Sequence, residues 1–245
     1  PRPYSIVEMG SGSGLLAGQV LERLGLERPE LSEEIVYVLI ERTRNELLES
    51  VLRLSTARTK VLAYSRLEDM PAFRGVFFSN ELVDAFPVHV LEKNNGEIHE
   101  VYVDEAGKAS LGELSSPALR PYALAVNEAL AEGERHGVNL EALRWMAAVS
   151  RKIEAGFLLT IDYGKRFGES AINAPRAFFK HATGGPLTVN TGRQDLTASV
   201  DFESLIVEGE KAGLKLESFG SMSRFLLDHG ISDWLVAGDD AASYK

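Results

Sequence analysis

The sequence contains no cysteine, which excludes disulfide bridges, zinc sites built on thiolates and a cysteine nucleophile. No apolar run approaches the ~20 residues that a membrane-spanning helix needs. Basic side chains are outnumbered, 26 against 36 acidic ones, so the formal net charge is -10. This balance argues against non-specific binding to nucleic acid or to an anionic membrane, because both require a basic protein surface. We therefore predict no nucleic-acid partner, no membrane span and no metal site.

What the chain does contain is an alternation of short apolar runs with segments of helical periodicity. Apolar runs separated by helices predict an α/β fold with a doubly wound, mostly parallel sheet, because parallel strands need crossover connections. The predicted strands are residues 4–9, 34–40, 60–64, 75–79, 156–162 and 214–219, and the predicted helices are residues 15–24, 43–54 and 202–212. The 245 residues suit one domain, 1–245.

Between the fourth and fifth predicted strands, residues 93–150 break this rhythm. Residues 97–103 alternate like an edge strand, and Asp104 to Gly107 predict a hairpin turn. Two further helices are predicted at 122–132 and 140–154. We interpret residues 93–150 as an inserted subdomain, a hairpin plus helices, that covers the carboxyl-terminal edge of the sheet, where substrates bind in such folds.

A glycine-rich loop follows the first strand, with Gly10, Ser11, Gly12 and Gly14 after the acidic Glu8. Glycine allows the chain to turn sharply and lets backbone approach a ligand closely, while the helix that follows offers free N–H groups. The loop has no Gly-Lys-Ser/Thr, and its Gly-x-Gly-x-Gly spacing differs from the dinucleotide fingerprint, which disfavours a Rossmann oxidoreductase. A tight strand–helix turn without a ligand is the alternative.

Acidic residues follow the next two predicted strands. Glu41 ends the second strand, where a carboxylate can accept both hydroxyls of a ribose, or simply be a solvated acid at a helix start. Glu68 and Asp69 follow the third strand, where a side chain commonly meets an adenine amino group, or serves only as a cap. This order of acid, glycine loop and ribose acid resembles the class I S-adenosylmethionine-dependent methyltransferases.

Four blocks resemble one family within that class, the MidA-like (DUF185) methyltransferases, which include a mitochondrial arginine methyltransferase of complex I assembly. The fourth strand runs into a segment similar to the family's Asn-Glu-x-x-Asp-Ala-x-Pro-Val signature. The others resemble its Val-Glu-Leu-Gly-x-Gly loop, its Ile-Asp-Tyr-Gly strand and its His…Gly-x-x-Asp-Leu-Thr-x-x-Val-Asp-Phe block. The four blocks are residues 80–88, 7–12, 159–164, and His181 with 192–202.

Three departures from the family pattern stand out. Only six residues precede Val7, whereas the family has a further amino-terminal region; the chain also begins without Met, so any targeting signal would lie in the missing part. Gly137 stands where the family usually has a glutamate before Val-Asn. The family's last strand is not found before Lys245. We therefore expect an amino-terminal region and a last strand to be missing from this chain.

The resemblance implies S-adenosyl-L-methionine as cofactor, bound by Glu8, the glycine loop, Glu41, Glu68, Asp69 and Asn80. Glu81 and Asp84, three residues apart, would share one face of a helical turn and bind a cationic acceptor, with Asp162 and Tyr163 lining the same crevice. His181 would take a proton or bind substrate. As alternatives, Glu81 and Asp84 are ordinary helix-terminal acids stabilised by the helix dipole, and His181 is a loop-packing residue.

The resemblance implies transfer of a methyl group to an arginine nitrogen of a protein, with a respiratory-complex subunit as a possible substrate. A methyltransferase for another nitrogen or oxygen acceptor remains an alternative, as does an S-adenosylmethionine-binding assembly factor with little turnover. The expected compartment is the cytoplasm for a bacterial protein, which we prefer, and the mitochondrial matrix for a eukaryotic one. The sequence leaves the oligomeric state open.

Overall fold

The computed structural model describes residues 3–166, 173–179, 182–183, 187–189 and 192–236. The chain divides into two compact units, Pro1–Leu214 and Lys215–Lys245. The second unit contains two short helices, α7 (Met222–Asp228) and α8 (Ile231–Val236). No helix in the described part of the chain is both long and apolar enough to cross a membrane.

The first unit is built on a five-stranded sheet in which every neighbouring pair of strands is parallel. The strand order is β3-β2-β1-β4-β9, which confirms the predicted doubly wound α/β fold. All five residues of β2 are buried, as expected for a strand covered on both faces. The strands are β1 (Tyr4–Met9), β2 (Val36–Ile40), β3 (Lys60–Tyr64), β4 (Phe73–Asn80) and β9 (Ile153–Ile161).

Helices cover both faces of this sheet. On one face, side chains of α1 and α3 pack against Tyr37 and Leu39 of β2. On the other face, Trp145 of α5 and Leu205 of α6 pack against Val7 and Phe77. The helices of this unit are α1 (Leu15–Glu27), α2 (Pro29–Glu34), α3 (Arg44–Arg53), α4 (Arg120–Asn127), α5 (Leu140–Ser150) and α6 (Phe202–Lys211).

The inserted subdomain is a four-stranded antiparallel sheet with the order β7-β6-β5-β8. Its core packs against α4 through Leu91, Leu119, Val126 and Leu130. It begins at His89, earlier than the predicted residue 93, and α5 belongs to the core of the parallel sheet. The strands are β5 (His89–Asn94), β6 (Glu97–Val103), β7 (Ala109–Gly112) and β8 (Arg135–Val138).

Three short ladders connect the end of the parallel sheet to α6. Their strands are β10 (Gly164–Lys165), β11 (Arg176–Phe179), β12 (Ala182–Thr183), β13 (Asp195–Thr197) and β14 (Val200–Asp201). Strand β10 pairs with β14, and β11 pairs with both β12 and β13. The predicted hairpin turn is confirmed, because residues 104–107 join β6 to β7.

Several predicted elements are absent, misplaced or differ in their bounds. Residues 214–219 form no strand, although a last strand was predicted there. Strand β6 lies inside its sheet and not at an edge, because β5 and β7 pair with it on either side. The helix predicted at 140–154 ends at Ser150, since the chain must re-enter the parallel sheet at Ile153. The helix predicted at 122–132 spans Arg120–Asn127.

Candidate active site

The glycine loop turns between β1 and α1 with all three of its glycines in the left-handed region, at φ of +79°, +49° and +75°. A Cβ on Gly14 would lie 2.7 Å from Ser50 Cβ, so Gly14 is required for the close approach of the loop to α3. A Cβ on Gly12 would meet no atom within 4 Å. The backbone at Gly12 therefore borders open space that a ligand can enter.

Glu41 lies directly after β2 and holds this loop in place. One carboxylate oxygen, Oε2, accepts a hydrogen bond from Gly12 N at 3.1 Å, and Oε1 accepts one from Thr43 N at 2.7 Å. Each oxygen keeps a second lone pair, so the carboxylate can still accept the two hydroxyls of a ribose. The Ser11 hydroxyl of the same loop is buried without a hydrogen-bond partner in the described part of the chain. These groups fit a nucleoside ligand.

Glu8 lies beneath the loop and is almost fully buried. Its Oε2 accepts a hydrogen bond from the Tyr37 hydroxyl at 2.7 Å, which joins β1 to β2. Burial raises the pKa of Glu8 above its usual range, although the bond from Tyr37 opposes that change. A cofactor contact from Glu8 stays a prediction, and Tyr37 is a partner that the sequence analysis missed.

Glu68 and Asp69 lie on a single 3₁₀ turn, Leu67–Asp69, between β3 and β4, and both are exposed. The Glu68 carboxylate accepts a hydrogen bond from Arg66 Nε at 3.3 Å. The backbone carbonyl of Glu68 accepts one from Lys152 Nζ at 2.9 Å. A role of these two acids in binding adenine stays a prediction.

The predicted acceptor residues lie beside the glycine loop. Asn80 is the exposed last residue of β4, and Glu81 N donates to Ile161 O at 2.9 Å, so the segment leaves the sheet next to β9. A Cβ on Gly10 would lie 3.1 Å from Leu82 Cδ1, which shows that the segment packs against the loop. The predicted helical turn from Glu81 is wrong, because Glu81 adopts a left-handed φ of 49° and begins an irregular bend.

Asp162 shapes this bend from the end of β9. Its Oδ2 accepts hydrogen bonds from Val83 N at 2.8 Å and from Asp84 N at 3.4 Å, and its Oδ1 accepts one from Tyr163 N at 2.8 Å. Burial nevertheless raises the pKa of Asp162. These contacts hold the backbone of Val83 and Asp84, and a catalytic role of Asp162 stays a prediction.

Asp84 is the most perturbed carboxylate in this group. Burial, with the negative charges of Asp162 and Glu81, raises the pKa of Asp84 to about 6. The Tyr163 hydroxyl donates to Glu81 Oε1 at 3.4 Å, and the Tyr163 ring is exposed. In the described part of the chain no lysine or arginine forms an ion pair with any of the three carboxylates, so a cation from outside can pair with Glu81 and Asp84, whereas Asp162 already accepts three backbone hydrogen bonds.

Two buried hydroxyls below this group also escaped the sequence analysis. Ser79 of β4 and Thr160 of β9 are in-register neighbours, and neither hydroxyl has a hydrogen-bond partner among the described residues. Ser79 follows the apolar run Val76, Phe77 and Phe78 within β4, and a polar residue directly after such a buried run is the signal that could have identified it. His181 lies outside the described residues.

The chain matches a family model described as "Putative S-adenosyl-L-methionine-dependent methyltransferase" over residues 1–220. A protein named protein arginine methyltransferase NDUFAF7 homolog, mitochondrial, from Drosophila melanogaster is 30% identical over 232 residues, which cover 83% of this chain and 52% of that protein. The protein of the same name from Caenorhabditis elegans is 26% identical over 220 residues, which cover 81% of this chain and 51% of that protein. The chain thus spans about half the length of the curated relatives it matches.

Two solved structures from Burkholderia thailandensis resemble the fold. An uncharacterised protein has a TM-score of 0.82 at 25% identity, covering 97% of this chain and 65% of that one. A candidate methyl transferase bound to S-adenosyl-homocysteine has a TM-score of 0.78 at 24% identity, covering 97% of this chain and 63% of that one. With the family model spanning the glycine loop, the acceptor segment and β9, this chain belongs to the MidA-like family of S-adenosyl-L-methionine-dependent methyltransferases, as its sequence motifs predict.

Proposed function

We propose that the protein transfers the methyl group of S-adenosylmethionine to an arginine side chain of a protein. The observation that carries this proposal is the group of three carboxylates, Glu81, Asp84 and Asp162, at the carboxyl-terminal edge of β4 and β9. They lie beside a glycine loop whose contacts suit a nucleoside. The names of the insect and nematode relatives add support for arginine as the acceptor.

The cofactor, when bound, supplies an electrophilic methyl group. The open backbone at Gly12 and the hydroxyl of Ser11 would contact it on one side, and Glu41 would accept hydrogen bonds from its ribose. Glu8 supports the loop from below through Tyr37. These residues would fix the position of the cofactor's reactive carbon. Such positioning matters because holding the two reacting groups in line is a large part of the catalytic work.

The acceptor side would work through charge. A guanidinium keeps its proton at any physiological pH, since its pKa exceeds about 12, and a carboxylate can bind two of its N–H groups in a planar fork. Glu81 and Asp84 would bind the guanidinium and orient one nitrogen towards the cofactor. As the methyl group is transferred and S-adenosylhomocysteine leaves, one of these carboxylates would accept the proton that the methylated nitrogen loses. Asp162 would act at one remove, by holding the backbone of Val83 and Asp84 in the bent conformation.

Mass spectrometry of proteins methylated with deuterium-labelled S-adenosylmethionine tests the proposal. The full-length protein is incubated with an extract from cells that lack it, and labelled peptides are sequenced. Respiratory-complex subunits are the first candidates to include, on the strength of the family resemblance. We expect the label on arginine nitrogen.

Three other outcomes would contradict the proposal. Label on lysine, on an oxygen or on a small molecule would replace arginine as the acceptor. Cofactor binding without transfer to any component would favour the assembly factor with little turnover. Absence of cofactor binding would remove the basis for a methyltransferase altogether.

A further inference from the structure

A groove of about 580 Å³ begins at Ala85, the residue that directly follows Asp84. One wall is the segment from Ala85 to Val90, which leads from the bend into β5. A second wall is the end of β6 with its hairpin turn, and a third is formed by Pro175, Leu187 and β13. The groove therefore starts one residue after Asp84 in the chain and extends along the inserted sheet, and its volume lies in the usual range for ligand sites.

The floor of the groove is a valine face of the inserted sheet. Successive strand residues point to opposite faces, so Val88 and Val90 lie opposite Leu91, which packs against α4. By the same alternation, Val101 and Val103 of β6 share the face of Val88 and Val90. Val103 is 52% exposed, and Leu196 of β13, in the third wall, is 53% exposed. An apolar strip of this kind favours an extended, partly apolar ligand.

Among the described residues that line the groove, acidic side chains outnumber basic ones, and the basic one, His89, is bound to Glu100. No lysine or arginine is among the described residues that line the groove, whereas Glu100, Asp104 and Glu105 are. Glu100 is bound by His89 Nδ1 at 2.7 Å and by Ser115 N at 2.6 Å. Asp104 accepts hydrogen bonds from backbone N–H groups of its own turn. Glu105 is exposed and forms no ion pair with any described residue, so its carboxylate is available to a ligand.

We propose that this groove binds the stretch of the acceptor protein that adjoins the methylated arginine. The inference rests on the proposed function, and it adds a preference of sequence: an apolar side chain packs on the valine face, and a second cationic side chain pairs with Glu105. The wall from Ala85 to Val90 is at most about 20 Å long when extended, and we take this length as the upper limit of the groove, so the second cation is expected within about six residues of the target arginine.

Charge complementarity decides the occupant. A nucleic acid or an anionic lipid surface would bring phosphates against Glu105 and the acceptor carboxylates, which repel them. A cationic and partly apolar polypeptide meets both the carboxylates and the valines with favourable contacts. The groove thus selects a protein segment with two positive charges.

Fluorescence anisotropy with short labelled peptides tests the groove directly. Each peptide carries a central arginine, leucine beside it and lysine about five residues away; matched peptides replace the lysine with glutamate or the leucines with serine. They are titrated against the full-length protein with S-adenosylhomocysteine present. We expect the lysine peptide to bind ~3–10-fold more tightly than the glutamate peptide, as exposed ion pairs allow, and less so at high salt.

Matched variants assign that preference to the groove. Glu105→Lys is expected to abolish or reverse the preference for lysine, whereas Glu97→Lys, at the start of the strand β6 that leads into the turn of Glu105, keeps it. Val103→Ser is expected to weaken binding of the leucine peptide by about threefold or more, whereas Leu124→Ser, an exposed leucine of α4, does not. All four positions are on the surface, and binding of S-adenosylhomocysteine verifies that each variant is folded.

The groove proposal is overturned if wild type binds none of the peptides, or if Glu105→Lys and Val103→Ser behave like their controls. The proposed function has a separate readout, namely label transfer to the arginine. Peptides that bind with the expected preference but take up no label would leave the groove as a protein-docking site and contradict arginine methylation. If arginine in native acceptor proteins is labelled but the peptides bind without any preference, only the groove proposal is contradicted.

Discussion

Two sets of carboxylates lie at the same edge of the parallel sheet and differ in what their oxygens contact. Glu41 and Asp162 accept hydrogen bonds from backbone N–H groups of the loops that follow the strands. Glu81 and Asp84 have few such donors: Glu81 has one long contact with Tyr163, and the backbone donors near Asp84 fail to prevent its pKa from rising to about 6. Glu41 and Asp162 thus hold the loops in place, whereas the carboxylates of Glu81 and Asp84 remain available to a cationic ligand.

This difference indicates which acids hold the loops in place and which are available to bind a substrate. A carboxylate with two or three backbone donors orients the chain around it, and these bonds favour its charged form even where burial raises its pKa, as at Asp162. Carboxylates that crowd together without a cation raise each other's pKa and are relieved when a cation binds. Glu41 can combine both roles, because its oxygens retain lone pairs after binding Gly12 and Thr43.

The largest effect is expected from removing the charges of the second set. Glu81→Gln and Asp84→Asn nearly preserve shape but remove a charge-assisted bond to the guanidinium, worth roughly 1.5–3 kcal/mol each. We expect each substitution to lower methyl transfer by about 10–100-fold while the affinity for S-adenosylhomocysteine stays within about twofold. Steady-state transfer assays and calorimetry measure the two quantities.

The exposed Glu128→Gln variant is the control for a change of charge at the surface. Asp162→Asn should behave differently from both, because the amide leaves only one oxygen to accept bonds from Val83 and Tyr163, so stability falls together with transfer. Transfer at the wild-type rate in Glu81→Gln would mean that Glu81 is only a strand-terminal acid. A collapse of cofactor affinity instead would assign the group to the cofactor pocket.

A smaller but still large effect is expected at Glu41, which holds the glycine loop and would also bind the ribose. Glu41→Ala removes the acceptor for Gly12 N and Thr43 N as well as the acceptor for the ribose. The affinity for S-adenosylhomocysteine should fall by about tenfold or more, since charge-assisted bonds contribute roughly 1.5–3 kcal/mol each. Glu46→Ala, an exposed acid in the first turn of α3, should bind like wild type in the same calorimetric titration. Equal affinities for the two variants would reduce Glu41 to a surface acid.

Substitutions at two glycines of the loop are expected to differ: one mainly lowers the free energy of unfolding, and the other mainly weakens cofactor binding. At Gly14 an alanine Cβ would come within 3 Å of the α3 backbone at Ser50, so Gly14→Ala should cost about 2–4 kcal/mol of folding free energy. At Gly12 the Cβ enters open space, so Gly12→Ala should cost about 1 kcal/mol or less and weaken cofactor binding severalfold.

Urea denaturation and calorimetry of both variants provide the comparison. Gly133→Ala is the control, because Gly133 also has a positive φ and open space around it. An alanine at Gly12 that leaves cofactor affinity equal to that of the Gly133 control would show that the ligand does not approach this backbone.

The parallel sheet could be predicted because its strands are continuous apolar runs, and the loop because its glycines follow one of them. The inserted sheet was harder to predict. Strand β5, with the sequence HVLEKN, carries charges, and it exists because it pairs with β6 and β8. Without β5, β6 was placed at an edge.

Residues 214–219 show the opposite error, a predicted strand without a partner strand. A strand needs the backbone of a neighbour, and the apolar residues Leu214, Leu216 and Phe219 do not identify one. The acceptor bend was missed in the same way. Spacing alone suggested a helical turn. The left-handed φ of Glu81 and the hydrogen bonds that Val83 N and Asp84 N donate to Asp162, 79 and 78 residues further on, give an irregular bend instead.

The smallest predicted effect concerns the folding free energy that the protein loses when Asp84 is ionised without a cationic partner. Its pKa of about 6 exceeds the ordinary value near 3.9, so the folded protein binds the proton more tightly than the unfolded chain does. The contribution of Asp84 to stability is therefore fully present below about pH 4 and is lost as the pH rises through about 6. Asp84→Asn should be more stable than wild type at pH 8 by about 1 kcal/mol, after a discount for solvent screening, or ~2–4 °C in Tm. The gain should vanish near pH 4, and Glu46→Gln should show none at either pH in thermal melts. A gain that is the same at both pH values would mean that packing, and not the unpaired charge, limits stability at this position.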